Sequence, residues 1–317
     1  VYATYQKSYE QFGFSVGART EAVFTKSHLL PTDAFPGSVD SFVYNDYFKV
    51  YPTVHLSYNI KDNHELQLNY SKRVNRPEAD ELNPFPEFQD PRNLRSGNPK
   101  LLPEIIHSIE FGYKWQGKNV SFVPSIYYRY TKNGFTSVVI PLNDSTLLTT
   151  EQNLSNSRSA GLELILSVKT NKWFSTNLST NIFYNRINAD NLGYIQNRSV
   201  VSLSANLNSN FTITKSTMLQ VSANYRSARL TPQGKFYPVL VFNSGLRQDL
   251  FRNKVSITFT ASDIFRSQRQ KSTINTAYLQ QVSVNRREGQ IFYLGISYRF
   301  GIMKKEKEEK LEFDEGL

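Results

Sequence analysis

The sequence of 317 residues carries 37 Lys and Arg against 27 Asp and Glu, a formal net charge of +10. The basic residues are scattered, which argues against a nucleic-acid groove, and the absence of cysteine excludes disulfides and thiolate metal sites. No stretch approaches the roughly 18 apolar residues that a membrane-spanning helix needs, so a closed β-barrel is the remaining way across a bilayer.

The first patterned run, at 12–24, alternates apolar with small or polar residues at a period of two. Such alternation predicts a strand with one apolar face. Similar runs lie at 53–60, 66–71, 108–115, 120–130, 162–168, 178–184, 201–207, 219–225 and 292–300. The chain is therefore predicted to form roughly a dozen strands and no long amphipathic helix.

The connections between these runs alternate in length. Tight ones lie at 61–63, 116–118, 170–172, 214–216 and 251–253, and long ones at 27–46, 74–104, 132–157, 186–197, 228–236 and 266–289. Strict alternation indicates antiparallel hairpins with turns at one end and loops at the other, as in outer-membrane barrels. The predicted fold is all-β, an antiparallel transmembrane β-barrel with short periplasmic turns and long outer loops.

The period of two also predicts which side chains meet lipid. We expect the apolar set to face outward: Phe12, Phe14, Leu66, Leu68, Phe111, Leu162, Leu203, Val221, Leu294 and Ile296. We expect the alternate set to face the lumen: Gln67, Asn69, Glu110, Glu163, Ser222 and Asn224. A register error of one residue would invert a whole strand, so this assignment is a sharp test.

The segment 73–104 holds six of the 13 prolines, which forces an irregular backbone outside the sheet. Its apolar residues need burial, so an ordered loop folded over or into the barrel mouth is expected. It either braces the neighbouring strands, as we prefer, or contacts a ligand directly. These residues are Leu82, Phe85, Phe88, Leu94, Leu101 and Leu102. Asn83 and Asn98, each before a proline, are expected to cap local turns.

Short motifs in this segment and beyond resemble those of TonB-dependent receptors, and most closely the outer-membrane barrel group of Bacteroidetes-type bacteria. In the Pro-rich segment they comprise Arg76, Pro77, Leu82, Asn83, Pro84, Gly97, Asn98, Pro99, Leu101, Pro103 and Glu104. A motif that begins a strand comprises Asn153, Gly161 and Glu163, SDIF stands at 262–265, and the final-strand motif YRFG includes Tyr298 and Phe300.

The resemblance implies the C-terminal portion of a receptor barrel of about 22 strands, with residues 1–301 in the barrel and 302–317 as a charged periplasmic tail. A plug and the early strands would precede it. The implied function is TonB-dependent uptake of a scarce nutrient, such as a metal chelate, a glycan or a peptide. The implied partners are outer-membrane lipid, the plug, the TonB complex acting through the plug, and the barrel assembly machinery. No cofactor, metal or catalytic residue is expected, and the location is the outer membrane.

Two other classes stay open: a passive pore or structural barrel without a plug, and a barrel hydrolase. GFSVG at 13–17 matches the G-x-S-x-G nucleophile pattern, but it stands in mid-strand, where small lumen-facing residues are the simpler interpretation. The four histidines, His28, His55, His64 and His107, show no metal-ligand spacing. His55 should face the lumen, and His64 should flank a turn.

Charged residues near the Pro-rich segment allow two interpretations. Arg73, Arg76, Arg92 and Arg95 form either an anion-binding cluster or, as we prefer, pairs with nearby carboxylates. Those carboxylates are Glu78, Asp80, Glu81, Glu87 and Asp90. Glu110 and Glu163 are either ligand contacts or, as we prefer, members of ion pairs with lumen-facing Lys and Arg.

Overall fold

The computed structural model describes residues 1–29, 41–44, 46–170, 172–286 and 289–300. Thirteen strands form one antiparallel sheet in which neighbours along the sheet follow one another along the chain. Numbered together with the loop strands, they are β1 (Tyr2–Ser8), β2 (Phe12–Val23), β5 (Tyr47–Lys61), β6 (His64–Asn75), β9 (Glu104–Gln116), β10 (Val120–Lys132), β13 (Asn156–Thr170), β14 (Phe174–Ala189), β15 (Tyr194–Thr214), β16 (Thr217–Arg226), β19 (Val239–Leu250), β20 (Val255–Ser262) and β23 (Ile291–Tyr298).

The predicted alternation of short and long connections is confirmed, except that the connection predicted to be long at 186–197 is short. Turns join β1 to β2, β5 to β6, β9 to β10, β13 to β14, β15 to β16 and β19 to β20. Loops join the remaining neighbours, so all of them lie at the opposite end of the sheet. The β14–β15 loop is reduced to four residues because these two strands extend further than the others.

The loops contain short strands that sequence alternation did not predict. One small sheet pairs β7 (Glu87–Asp90), β8 (Asn93–Ser96), β12 (Leu147–Asn153) and β11 (Phe135–Pro141). A second pairs β17 (Arg229–Leu230), β18 (Gly234–Phe236), β21 (Arg269–Asn275) and β22 (Gln280–Arg286), and a hairpin pairs β3 (Lys26–Leu29) with β4 (Ser41–Tyr44). The loops are thus tied into small sheets above the main one.

Helix is limited to short turns, as predicted. The structure contains α1 (Ala79–Leu82) and one 3-10 turn, η1 (Asp190–Leu192), in its described part. Among the described residues, no helix is both long and apolar enough to span a bilayer.

Strand pairing gives the large sheet one apolar and one polar face. Directly paired residues point to the same side, and one row of partners runs Leu56, Leu68, Phe111, Ile126, Leu162, Ile182 and Leu203. The row one residue along runs Ser57, Gln67, Gly112, Ser125, Glu163, Asn181 and Ser204. The register therefore places every residue of the predicted outward set on the apolar face and every residue of the predicted inward set on the polar face.

No described part of the chain covers the apolar face. Ile126 is 57% exposed and Ile296 is 71% exposed, although both belong to the regular sheet. An apolar face of this extent is stable only against another apolar phase, which fits contact with lipid. The polar face also carries some apolar residues, such as Ile165 and its partner Val123.

The last strand is shorter than predicted. Tyr298 is the final residue of β23 and pairs with Val255 on the apolar face. Phe300 lies two residues beyond the end of β23 and is 89% exposed. The proposed charged tail at 302–317 lies outside the described residues.

Candidate functional site

The Pro-rich connection between β6 and β9, residues 76–103, is called the motif loop below. Gly97 lies against the backbone of α1, where an added Cβ would overlap the carbonyl of Glu81. The Gly97 N–H donates to the carbonyl of Asn83 at 2.6 Å, and the Asn98 N–H donates to the carbonyl of Glu81 at 2.6 Å. Only glycine permits this approach of two backbone segments, so Gly97 closes the motif loop on itself.

The two asparagines that precede prolines cap turns as predicted. Asn83 Oδ1 accepts from the Phe85 N–H at 3.1 Å, and Asn98 Oδ1 accepts from the Lys100 N–H at 2.9 Å. The Asn98 Nδ2 also donates to the carbonyl of Glu151, in the next loop, at 3.1 Å. Asn98 therefore orders its own turn and ties the motif loop to its neighbour.

Burial in the motif loop is more selective than predicted. Leu101 is completely buried at 0% exposure, whereas Phe85 and Leu102 are exposed. The side chain of Phe88 lies outside the described ones. The loop is ordered mainly by hydrogen bonds and by parallel pairing of β8 with β12, and a single leucine supplies the fully buried contact.

Both ends of the motif loop are held by charged side chains. Glu104 accepts from the Asn75 Nδ2 at 2.8 Å and from the backbone N–H of Phe135. Arg76 forms an ion pair with Glu21 and donates from Nε to the Tyr47 hydroxyl at 3.0 Å. The predicted pairing of Arg76 within its own loop is wrong, because β2 and β5 bring Glu21 and Tyr47 next to the exit of β6.

Two of the carboxylates expected to pair with arginines serve the backbone instead. Glu78 and Glu81 form a reciprocal capping box at the start of α1. The Glu81 carboxylate accepts from the Glu78 N–H at 2.9 Å. Their role is to satisfy the free N–H groups of a short helix.

Asn153 joins the motif loop to the following loop, residues 133–155. Its Oδ1 accepts from the Leu102 N–H at 2.8 Å, and its Nδ2 donates to the Leu102 carbonyl at 2.9 Å. The same Nδ2 donates to the carbonyl of Asn133 at 2.8 Å. Asn153 thus takes the place of a missing strand partner for Leu102.

Gly161 and Glu163 lie elsewhere, on the polar face of β13. Gly161 pairs with Tyr127, whose ring is buried and whose hydroxyl donates to Asn181 Oδ1 at 3.1 Å. An added Cβ at position 161 would lie 2.8 Å from the Tyr127 hydroxyl and 2.7 Å from the carbonyl of Ile182. Gly161 therefore leaves the space over which the Tyr127 side chain reaches Asn181.

The expected ion pairs of Glu110 and Glu163 are not formed. The four ion pairs among the described residues involve neither side chain. In the polar row of the sheet Glu163 lies between Ser125 and Asn181, so its neighbours are neutral. The alternation in the sequence predicted correctly that these two glutamates lie on the polar face, but it did not predict their neighbours.

Gln233 is a second cross-loop tie, which the sequence analysis missed. It lies in the β16–β19 loop, residues 227–238, and its buried amide forms two hydrogen bonds of 2.7 Å with the N–H and carbonyl of Val139. Its Nε2 also donates to the Tyr194 hydroxyl at 2.8 Å. No local signal marks Gln233, because its partners lie far away in the chain.

Asp263 of the SDIF motif organises the start of the β20–β23 loop, residues 263–290. Its buried carboxylate accepts from the N–H groups of Ser267 and Gln268 at 2.8 and 2.9 Å. Burial acts to raise the pKa of Asp263, but the hydrogen bonds from Gln268 and Ser267 outweigh it and hold the pKa below its usual value. The ionised side chain is therefore part of the folded loop.

An open cavity of about 460 Å³ lies where the β16–β19 and β20–β23 loops meet the polar face of the sheet. Asn224, Arg226 and Val241 contribute from the sheet, and the loops contribute Arg229, Phe236 and Gln270. Its volume is within the range of small-molecule sites. The motif loop, the Gly161 region and this cavity are three separate places, so the predicted site residues do not form one cluster.

The hydrolase pattern at 13–17 is ordinary strand. Gly13 and Gly17 lie within β2, and added Cβ atoms would meet Ser57 Oγ at 2.8 Å and Thr53 Oγ1 at 2.9 Å. Ser15 pairs with His55, which is on the polar face as predicted and binds Asn69 through Nδ1. In the described part of the chain, no hydrogen bond joins Ser15 to His55. The backbone N–H groups here belong to strand pairs and cannot stabilise an oxyanion.

Two further histidines, His64 and His107, lie on the apolar face with tyrosines. His64 follows a turn, as predicted, and its Nδ1 lies 2.6 Å from the Tyr113 hydroxyl. The His107 Nδ1 lies 3.0 Å from the Tyr70 hydroxyl. These pairs near strand ends fit an aromatic belt at the membrane interface.

The chain matches known proteins along nearly its whole length. The sequence profile described as the outer membrane protein beta-barrel family matches residues 1–298. No curated protein gives a match. Among solved structures, the copper transporter OprC is 14% identical with a TM-score of 0.63, over 94% of this chain and 47% of that one.

Two siderophore receptors are similarly related. The siderophore receptor PiuA of Acinetobacter baumannii is 12% identical with a TM-score of 0.65, over 91% of this chain and 41% of its own. The ferric yersiniabactin uptake receptor FyuA of Yersinia pestis is 14% identical with a TM-score of 0.64, over 91% of this chain and 43% of its own. The chain therefore spans less than half the length of these receptors.

Proposed function

The chain belongs to the outer membrane protein beta-barrel family, and on that premise we propose that it forms part of a TonB-dependent receptor for a scarce nutrient. The protein is located in the outer membrane, with the apolar face of its sheet toward lipid. In the proposed receptor the polar face lines the lumen and the tied loops face the outside. A plug domain upstream would fill the lumen and transmit the action of TonB.

The observation that best supports this proposal is the likeness of the whole sheet, with its loops, to solved uptake receptors. Those receptors carry copper or ferric siderophores according to their descriptions. Of the three nutrient classes that the sequence suggests, a metal chelate is therefore favoured over a glycan or a peptide. The ordered motif loop fits a rigid outer rim, because its carbonyls and N–H groups are bonded to its neighbours.

The test is uptake by living cells. Cells with the gene, cells without it and cells without TonB would be given ferric citrate, maltoheptaose and trialanine as separate probes. The proposal predicts that uptake of one probe falls to the background level in both deletion strains. Undiminished uptake in cells that lack TonB, together with loss in cells that lack the gene, would instead identify a passive pore.

A further inference from the structure

Among the described residues, those that line the cavity beneath the β16–β19 and β20–β23 loops include three arginines and no carboxylate. Arg226, Arg229 and Arg269 lie in its wall, and the other polar lining residues are amides, a serine and a tyrosine. The amides are Asn224, Gln268, Gln270 and Asn285. A wall of guanidinium and amide donors suits carboxylate or phosphate groups, because arginine can bind both in a bidentate manner.

Two of these arginines have positions that follow from strand register. Arg226 pairs with Ser204 and Val239 on the polar face of the large sheet. Arg229 pairs with Phe236, which in turn pairs with Ser272, on the face of the loop sheet that also bears Gln270. Both arginines are thus directed toward the cavity from two different sheets.

Neither arginine is paired with a carboxylate in the described part of the chain. The ion pairs among the described residues include neither Arg226 nor Arg229, and both side chains are exposed. Arg229 lies over the Phe236 ring, with 5.0 Å between the guanidinium carbon and the ring centroid. Stacking fixes the guanidinium plane and leaves its edge donors available.

The surrounding loops are strongly basic. Together they carry seven cations, Arg229, Lys235, Arg266, Arg269, Lys271, Arg286 and Arg287, against two carboxylates, Asp263 and Glu288. The Asp263 carboxylate is already hydrogen-bonded within its loop. Arg269 stands directly opposite Arg286 in the β21–β22 pair, where like charges are destabilising without a counter-ion.

The two aromatic rings in the cavity wall, Phe236 and Tyr237, already have cations against them. Lys235 and Lys271 lie over the Tyr237 ring, with Nζ 4.9 and 4.7 Å from its centroid, and Arg229 covers Phe236. A neutral sugar, which would stack on exposed rings, finds those rings occupied by cations. The polar-face position of Arg226 also directs the cavity toward the lumen, away from the lipid and its headgroups.

We propose that this cavity binds a small solute that carries two or more carboxylate or phosphate groups, held by Arg226 and Arg229. This deepens the proposed function, since the solute would be the cargo or the acidic part of it. Binding of the anion is measured without transport, so the binding proposal and the uptake proposal can each be contradicted without the other. Loss of TonB-dependent uptake would leave anion binding standing, and the reverse also holds.

The test is calorimetric titration of the full-length protein in detergent with citrate and pyrophosphate, and with maltotriose as a neutral probe. The R226Q/R229Q variant should raise the Kd for the anions about tenfold or more, because charge-assisted hydrogen bonds are lost. The control K215Q/R252Q removes two charges from turns at the other end of the sheet and should leave the Kd unchanged. Absence of anion binding by the natural protein, or equal loss in both variants, would overturn the proposal.

A second measurement needs no variant. Phenylglyoxal modifies accessible arginines, and mass spectrometry reports the extent at each position. Citrate should slow modification of Arg226 and Arg229 but not of Arg252. Equal modification with and without citrate, or protection only by lipopolysaccharide micelles, would contradict a solute site in the lumen.

Discussion

The side-chain amide of Asn153 forms hydrogen bonds with both backbone groups of Leu102, to the N–H at 2.8 Å and to the carbonyl at 2.9 Å. The two residues belong to different loops, so this pair joins the motif loop to the next. Gln233 likewise bonds both backbone groups of Val139, and so joins the β16–β19 loop to the loop 133–155. Amide side chains thus hold neighbouring loops together by forming the hydrogen bonds that a paired strand would form.

Replacing Asn153 with alanine should destabilise the protein by about 1–3 kcal/mol, because three hydrogen bonds are lost. The temperature at which the folded band disappears on a semi-native gel measures this, and proteolysis should reach the motif loop sooner. Asn119→Ala, in a turn at the other end, is the matched control. Equal behaviour of the two variants would contradict the tie between the loops.

The two adjacent leucines of the motif loop should contribute very differently to the stability of the protein. Leu101 is 0% exposed and Leu102 is 47% exposed. Leu101→Ala should cost about 2–5 kcal/mol through lost contacts and a cavity, whereas Leu102→Ala should change stability by less than about 1 kcal/mol. Thermal unfolding of both variants measures the two losses of stability. A larger loss from Leu102→Ala than from Leu101→Ala would show that the loop packs differently.

Two glycines on the polar face provide another pair. Gly161→Ala should cost about 1–3 kcal/mol, because the new methyl group would overlap the Ile182 carbonyl and the Tyr127 hydroxyl. Gly112→Ala has ordinary room, with its nearest atom 3.6 Å away, and should be neutral or stabilising by about 0.5 kcal/mol. Unfolding in urea from lipid vesicles measures both, and the reverse order would refute the packing of Tyr127 over Gly161.

The β20–β23 loop should loosen in acid. The folded-state pKa of Asp263 is lowered, so its contribution is present above the usual pKa of an aspartate and is lost as the pH falls through the lowered value. The protection factors against hydrogen exchange at the Ser267 and Gln268 N–H groups, followed from about pH 6 downward, should fall only in this acid range. In Asp263→Asn exchange should be fast at every pH, and retention of acid dependence in that variant would assign it to another group.

Alternation predicted the large sheet well, because each strand position meets either lipid or the lumen. One rule of parity therefore places residues as distant as Phe12 and Ile296. Most contacts among the loops follow no such alternation. Arg76 pairs with Glu21 rather than with its own loop, and Gln233 bonds a residue 94 positions away.

The motif residues illustrate the same limit. Gly97, Asn98 and Asn153 stood out in the sequence because they resemble a known family, and the structure gives each a contact. Tyr127 and Arg226 belong to no motif. Tyr127 is one of many aromatic residues in strands, and Arg226 is one of many scattered cations. Their roles arise from strand register, which brings Tyr127 over Gly161 and Arg226 beside the loops.

The lipid-facing sheet and the cavity that opens to the lumen both depend on which face of the sheet meets lipid. Residues 1–317 contain no cysteine, so single cysteines can be placed along β13 from Leu162 to Ser167 and spin-labelled in lipid vesicles. Collisions with oxygen should dominate at Leu162, Leu164 and Leu166, and collisions with a water-soluble nickel complex at Glu163, Ile165 and Ser167. A period of two with this phase is the predicted result, and uniform water access or the opposite phase would contradict a lipid-facing apolar face.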